Sequence, residues 1–379
     1  MKRLLYIGSN DVFTRHELGF IASLHGLGEV DVVVLGSKTH AEKFFIASDN
    51  GIHVVNLYEV ACGGKLLRFE HCIKMISVII DPRDYDAVFA TPRLPILVIK
   101  HLKASEKNVL RLWSIKAAKL RDNLRFGAYE DILIFIPSII ANMYYILNSN
   151  YSIAVDHATY VFARKIYSFA KDRIAKVYPP YGYIPNKDEI TREVPEIIDK
   201  GSYILGFTVL GKTGSYLKFE AKPHAIVLYL LAKRTNIDVV LAGSSYDDWK
   251  RVFPDLEPPG NLHIIGKGFS DNDIGRIYRG ASLVVTPITN KSISNRLLEA
   301  LFYGKPIIIS EIAKLLHPEL EHRKHVFIST WDTIVEDAIK ILKDEGLLKT
   351  LEQGAKSAYN IYFSIRRNVM ILEKLLKKL

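Results

Sequence analysis

One carboxylate, Glu299, stands among apolar residues in the run Ser294-Asn295-Arg296-Leu297-Leu298-Glu299-Ala300-Leu301-Phe302-Tyr303-Gly304-Lys305-Pro306-Ile307-Ile308-Ile309-Ser310. The run reads as a short amphipathic helix, a glycine stop and, after the proline, a buried strand. An apolar strand, Leu283 to Thr286, comes just before it. That order aims the helix N-terminus, opened by Asn295 and Arg296, at the mouth of a parallel sheet, with Glu299 one turn in. A helix end attracts phosphate and a carboxylate accepts ribose hydroxyls, so the place suits a nucleotide. The competing reading is an ordinary strand-helix-strand unit with one exposed glutamate.

Cations that could meet a diphosphate follow the strand Leu205-Gly206-Phe207-Thr208. They are Lys212, Lys218 and Lys222, expected on a loop before the next helix. Lys222-Pro223-His224-Ala225 is the most specific element, because a proline in a first helical turn fixes where the lysine points. A solvated basic loop is the alternative. The first strand ends in Ile7-Gly8-Ser9-Asn10-Asp11, without the G-x-G-x-x-G of a dinucleotide site. The glycine pattern from Gly206 to Thr213 is too incomplete for a P-loop. The polar loop from Gly8 to His16 still occupies the carboxyl end of a strand, where open sheets bind ligands. Asp271-Asn272-Asp273 imitates a D-x-D metal motif but reads as a helix start, with Asp271 as its N-cap.

The elements needed to hold these residues are present. A chain of 379 residues, 49% apolar and 24% charged, fits two globular domains. Continuous Val/Ile/Leu runs alternate with helical stretches, which implies parallel sheets with helices on both faces. In the first half the strands are Lys2–Gly8, Val30–Gly36, Ile52–Tyr58, Tyr85–Thr91 and Val109–Trp113, closed by Ile153–Val155. The proline-rich segment from Val177 to Asn186 reads as a linker. The alternation restarts at Tyr203 and runs to Ile328. The pattern predicts an α/β protein of two doubly wound domains facing each other across a cleft. A helical tail from Gly346, broken at Tyr362-Phe363-Ser364, packs on the body through Leu372, Leu375, Leu376 and Leu379.

The net charge of +10 makes an anionic partner plausible. Cys62 and Cys72 form neither a disulfide framework nor a CxxC site, so a reducing cytosol is the expected compartment. Gln353 is the only glutamine, a bias shared with proteins of hot environments. No secretory signal is expected. The apolar run Ile132–Leu147 is too short to span a membrane and reads as a buried helix, with an interfacial segment second. Lys100, Lys103, Lys107, Arg111, Lys116, Lys119, Arg121 and Arg125 precede it. Such a basic segment suits an enzyme at the inner membrane face that uses a lipid-linked acceptor. A solvated face is the alternative.

These pieces together resemble the retaining glycosyltransferases of GT-B fold that carry an E-x7-E motif. The resemblance is clearest from Tyr203 to Ser310. Gly206 through Lys222-Pro223 is similar to the family's strand-glycine-loop-lysine-helix element. Gly243 in Leu241-Ala242-Gly243-Ser244 and Gly266 in Ile264-Ile265-Gly266 match its strand-end glycines. Leu298-Glu299-Ala300 through Ser310 is similar to its LEAxxxGxPVIxS segment. Tyr183-Ile184-Pro185-Asn186 resembles its interdomain stretch, with Lys187 in place of a glycine, and Tyr362-Phe363-Ser364-Ile365 its terminal helix.

The resemblance implies a GT-B architecture. Residues 1–182 and 362–379 would form an acceptor-binding domain, and 183–361 a donor-binding domain. It implies a nucleotide-sugar donor (UDP-, GDP- or ADP-), a sugar or lipid-linked acceptor, no tightly bound cofactor and no metal. Glu299 would hold the donor ribose. Lys222, with Lys218 or Lys212, would bind the diphosphate, beside Gly243, Gly266, Asn295 and Arg296. The first glutamate of the motif should lie eight residues before Glu299, where Lys291 stands. Lys291 is then a phosphate or acidic-sugar contact, or a surface lysine. The histidine that the family often places in its first domain is missing after Leu112-Trp113-Ser114, which leaves His157 and His16 as substitutes. Gly8, Ser9 and Asn10 complete the acceptor side. Nucleic acid is not the expected partner. The alternatives are a nucleotide-sugar epimerase of the same fold and a non-catalytic binder of nucleic acid or glycan.

Overall fold

Apolar runs without polar alternation need both faces covered, which a parallel sheet between helix layers provides. The computed structural model of the chain has that form. It describes residues 2–9, 15–35, 53–56, 81–91, 107–112, 135–181, 195–214, 217–266, 269, 271–287 and 294–378. The chain divides into two compact units, Met1–Asn186 with Phe363–Leu379, and Lys187–Tyr362.

The first unit runs β1 (Lys2–Ser9), α1 (Arg15–His25), β2 (Gly28–Leu35), β3 (His53–Asn56), β4 (Ala87–Ala90), β5 (Asn108–Leu112), α2 (Phe135–Leu147), β6 (Tyr151–Ala154), α3 (His157–Ile166) and β7 (Ile174–Lys176). The strands lie in the order β3-β2-β1-β4-β5-β6-β7, and every pairing is parallel. The chain winds outward through β2 and β3, then returns to the other side of β1. Right-handed crossovers therefore put α1 on one face and α2 and α3 on the other. The two cores agree: Leu4, Tyr6 and Phe20 pack on the α1 face, and Leu5, Ile146, Ala163 and Tyr167 on the α2–α3 face.

The second unit repeats the plan with α4 (Glu196–Lys200), β8 (Tyr203–Phe207), α5 (Lys222–Arg234), β9 (Val239–Ala242), α6 (Tyr246–Val252), β10 (Leu262–Ile265), α7 (Asp271–Gly280), β11 (Ala281–Thr286), α8 (Asn295–Phe302), β12 (Ile307–Ser310), α9 (Ile312–Leu316), β13 (Phe327–Ser329), α10 (Ile334–Lys343) and α11 (Glu345–Ala358). Its sheet order is β10-β9-β8-β11-β12-β13, all parallel. A π-helical turn, Tyr359–Phe363, then leads into α12 (Ile365–Leu376). As expected, that helix returns to the first unit, where Leu372, Leu375 and Leu376 join the α1-side core.

Several expectations change. The first half does not close at Ile153–Val155, because β7 adds an edge strand beyond it. A strand of three residues carries too little pattern to read from the sequence. The start of the linker is not free chain: Val177, Tyr178 and Tyr181 are buried, and Asn368 Nδ2 on α12 donates to the Tyr178 carbonyl at 2.8 Å. Helix α2 is not wholly buried, since Ile140 and Leu147 are exposed. Of the basic segment only Lys107 and Arg111 are described, and Arg111 is no surface cation. Asp271 is the first residue of α7 rather than its cap.

Arg111 reaches from β5 across β4 into the core. Its Nη1 pairs with the Glu17 carboxylate of α1 and donates to the Tyr6 hydroxyl at 3.2 Å. The guanidinium lies over the Phe20 ring, 3.9 Å from its centroid. Tyr6 donates to the same carboxylate. Burial, then the Glu17 charge, pushes the Tyr6 phenol well above its usual range, so it stays a donor. Removing one member leaves a buried charge without its counterion. Arg111→Ala is expected to cost ~3–5 kcal/mol, while Arg111→Met with Glu17→Leu should recover much of that loss. Urea unfolding of both variants checks this.

Candidate functional site

Open α/β sheets bind ligands at the carboxyl edge where the winding reverses. In the second unit that point lies between β8 and β11, whose register ends at Leu205 opposite Val284. Beyond it the strands part, and the chain fills the gap with polar groups. Gly206 at this point has no room for a side chain, because a Cβ would lie 2.5 Å from Leu228 Cδ1 and 2.9 Å from His224 Nε2. His224, in the first turn of α5, meets the Val285 carbonyl of β11 at 2.8 Å through Nε2. A carbonyl only accepts, so Nε2 carries the proton.

The loop after β8 is tied down from β9. Ser244 Oγ donates to the Thr208 carbonyl at 2.8 Å and accepts from the Leu210 N–H at 2.9 Å. Gly243 makes the turn possible: its φ is +94°, and a Cβ would stand 3.0 Å from the Thr208 carbonyl oxygen.

Glu299 lies on the other side of the gap. Ser294 caps α8 by accepting the Leu297 N–H at 3.4 Å, and Leu297, Leu298, Ala300 and Leu301 bury the helix. Glu299 is itself only 5% exposed, which overturns the reading of an exposed glutamate. The Tyr278 hydroxyl donates to Glu299 Oε2 at 2.8 Å. Tyr278 is held between Phe207 and Tyr303, with ring centroids at 5.3 and 5.4 Å. Strand β8, helix α7 and helix α8 thus converge on one carboxylate.

Arg296 occupies the first turn of the same helix. Its Nη1 is 4.0 Å from the Glu220 carboxylate, on the π-helical turn Leu217–Ala221 that precedes α5. Its charge also acts on His224. Burial first, and Arg296 second, lower the imidazole to about 3 against the Val285 hydrogen bond, so the ring is neutral. A neutral histidine, an arginine and two carboxylates therefore surround the switch point.

The remaining sequence candidates are scattered. Lys212 is in the loop anchored by Ser244, and Gly266 follows β10 with open space at its Cβ position. Asn295 opens α8. Lys218 is on the π-helical turn rather than a loop, and Lys222 is the first residue of α5. Both line a groove of about 490 Å³ with Ile226, Leu230 and Trp331, to which neither Glu299 nor Arg296 contributes. The Lys222 ammonium stands 5.5 Å from the Phe253 ring centroid. In the first unit Gly8 and Ser9 end β1, and His16 is in the first turn of α1. His157 follows the helix cap Asp156, which accepts from the Thr159 N–H at 2.7 Å. Asn10 and Lys291 lie outside the described residues. Sequence reasoning missed Tyr278 and gave His224 no role. The only sequence signal for His224 is its place after Pro223.

Two doubly wound parallel sheets joined by a returning terminal helix define the GT-B fold. Residues 223–344, within the second unit, match the family described as Glycosyl transferases group 1. No curated protein matches the chain by sequence. Among solved structures, HepE from Anabaena in complex with UDP and glucose shares 14% identity over 100% of both chains, with a TM-score of 0.67. Sucrose-phosphate synthase from Thermosynechococcus elongatus shares 11% over 100% of this chain and 99% of its own, also at 0.67. A putative UDP-N-acetylglucosamine 2-epimerase from Listeria monocytogenes shares 10% over 99% and 95%, at 0.64.

The buried imidazole ties stability to pH. Unfolded, it takes a proton near 6.5; folded, only near 3. Its contribution is complete above the unfolded value and is lost as pH falls toward the folded one. Unfolding free energy should therefore drop by ~1.4 kcal/mol per pH unit in that window from this group. His224→Gln keeps an N–H for Val285 and should remove that part of the slope, as denaturant unfolding at several pH values will show.

Proposed function

We propose that the chain transfers a sugar from a nucleoside diphosphate-sugar to an acceptor hydroxyl, with retention and without a bound metal. The observation that carries this reading is the buried Glu299 carboxylate, fixed by Tyr278 one turn into a capped helix at the switch point. A carboxylate held there accepts the ribose hydroxyls. The first amides of α8 and the Arg296 guanidinium meet the diphosphate. As the sugar–oxygen bond breaks, the departing diphosphate gains negative charge, and these preorganised donors lower the barrier.

Arg296 takes the part that the family resemblance gives to Lys222, because the Lys222 ammonium stands over Phe253. Lys212, in the anchored loop, is the second cation. Gly243 and Gly266 keep the strand ends low, so that a base can approach the backbone. The acceptor, a sugar or a lipid-linked glycan, belongs to the first unit, near Gly8, Ser9, His16 and His157. UDP is the nucleotide to offer first, since HepE was crystallised with UDP and with UDP-glucose.

Calorimetry with UDP-, GDP- and ADP-sugars tests the site. Glu299→Ala is expected to weaken donor binding by ~10–100-fold, the value of hydrogen bonds to a charged group. Tyr278→Phe, which keeps the ring stack, should weaken it by a smaller factor. Unchanged affinity in Glu299→Ala, or no binding of any donor by the wild type, overturns the proposal. Recovery of an isomerised donor in place of a transferred sugar would favour the epimerase.

A further inference from the structure

Helix α2 carries no charged residue from Phe135 to Leu147. Yet its outer face is bare: Ile140 is 56% exposed, Met143 39% and Leu147 52%. These positions are three and four apart, so they form one stripe. The following elements continue it. Val161 and Ile166 on α3, and Phe169 on the turn after it, are also exposed. Six of the twelve large apolar residues exposed among the described residues fall on the two helices and the turn that follows them. Scattered apolar residues need no explanation, whereas a contiguous patch marks a contact surface.

The helices that carry these residues are adjacent in space. The crossovers from β5 to β6 and from β6 to β7 place both helices on one face of the sheet. They share a core through Ile146, Ala163 and Tyr167. The Tyr167 hydroxyl donates to the Ile139 carbonyl at 3.0 Å, and Arg173 to the Ser149 carbonyl at 3.1 Å.

The charges beside the patch are one-sided. Between residues 135 and 173 the cations are Arg164, Lys165, Lys171 and Arg173. The acids are Asp156, fully buried as a helix cap, and Asp172. A face with four cations against one exposed acid repels its own copy and attracts an anionic surface. No helix among the described residues is long and apolar enough to cross a membrane. Contact of this kind is therefore superficial, with apolar side chains among the acyl ends and lysines at the headgroups.

We propose that the outer face of α2 and α3 docks the first unit on an anionic lipid bilayer. Ile140, Met143, Leu147, Ile166 and Phe169 enter the interface, and Lys165 and Lys171 hold the headgroups. The surface is independent of the Glu299 site, so either reading can fail while the other stands.

Co-sedimentation of the full chain with vesicles tests this. Vesicles of phosphatidylglycerol in phosphatidylcholine are expected to bind it at least ~tenfold more tightly than phosphatidylcholine alone, and high salt should reverse the difference. Ile140→Glu, Phe169→Glu and the pair Lys165→Glu with Lys171→Glu should each weaken vesicle binding by ~tenfold. All four positions are exposed, so the unfolding temperature and UDP-sugar affinity should be unchanged. Absence of binding to anionic vesicles overturns the proposal, and so does binding that ignores all three variants. A concentration-dependent dimer that Ile140→Glu dissolves, with vesicles ignored, would assign the face to a second copy instead.

Discussion

The hydrogen bond from His224 to the Val285 carbonyl ties together the two chain segments that the sheet has just separated. Where β8 and β11 part, backbone groups lose their strand partners, and a buried polar group without a partner costs about 1–3 kcal/mol. His224 answers that need at one carbonyl, and it can do so only because Gly206 leaves space beside it. The bond fixes the start of α5 against β11. The start of α5 in turn carries the π-helical turn with Glu220, which faces Arg296 on α8. The polar geometry around the switch point follows from that constraint.

The two units hold buried polar clusters of different character. In the first, Arg111 pairs with Glu17 and Tyr6 inside the core, with Phe20 covering the guanidinium. That arrangement joins β1, β5 and α1. In the second, Glu299 receives a hydroxyl from Tyr278 at one oxygen, close to a helix N-terminus. That carboxylate lies at the carboxyl edge of the sheet, where open α/β folds bind ligands.

The apolar face of α2 and α3 shows a third use of side chains. Ile146 on α2, Ala163 on α3 and the adjoining Tyr167 enter the core, while the outer side of α2 is also apolar. A helix that needs only to cover a sheet would be polar outside. The departure from that pattern points to a second apolar contact.

Much of the fold was legible in the chain. Buried parallel strands leave uninterrupted Val/Ile/Leu runs, and these located most of the strands, both sheets and the returning helix α12. Glu299 was legible too, as one charge in an apolar amphipathic run after a strand. What the sequence could not decide was whether that charge faced water or the interior. Its burial depends on Tyr278, 21 residues earlier on another helix, and no local spacing encodes such a meeting. The lysines show the same limit from the other side: Lys222 reads as a phosphate ligand by position, but its ammonium is beside Phe253, some 30 residues on. Arg111 reads as one of a run of surface cations, yet it is buried against Glu17, 94 residues away. The sequence by itself determined the periodicity, hence the layers, the winding and the end of the sheet where a site belongs. Tertiary structure alone decided which polar groups occupy that end, because burial and pairing are set by segments that meet only when the sheet closes.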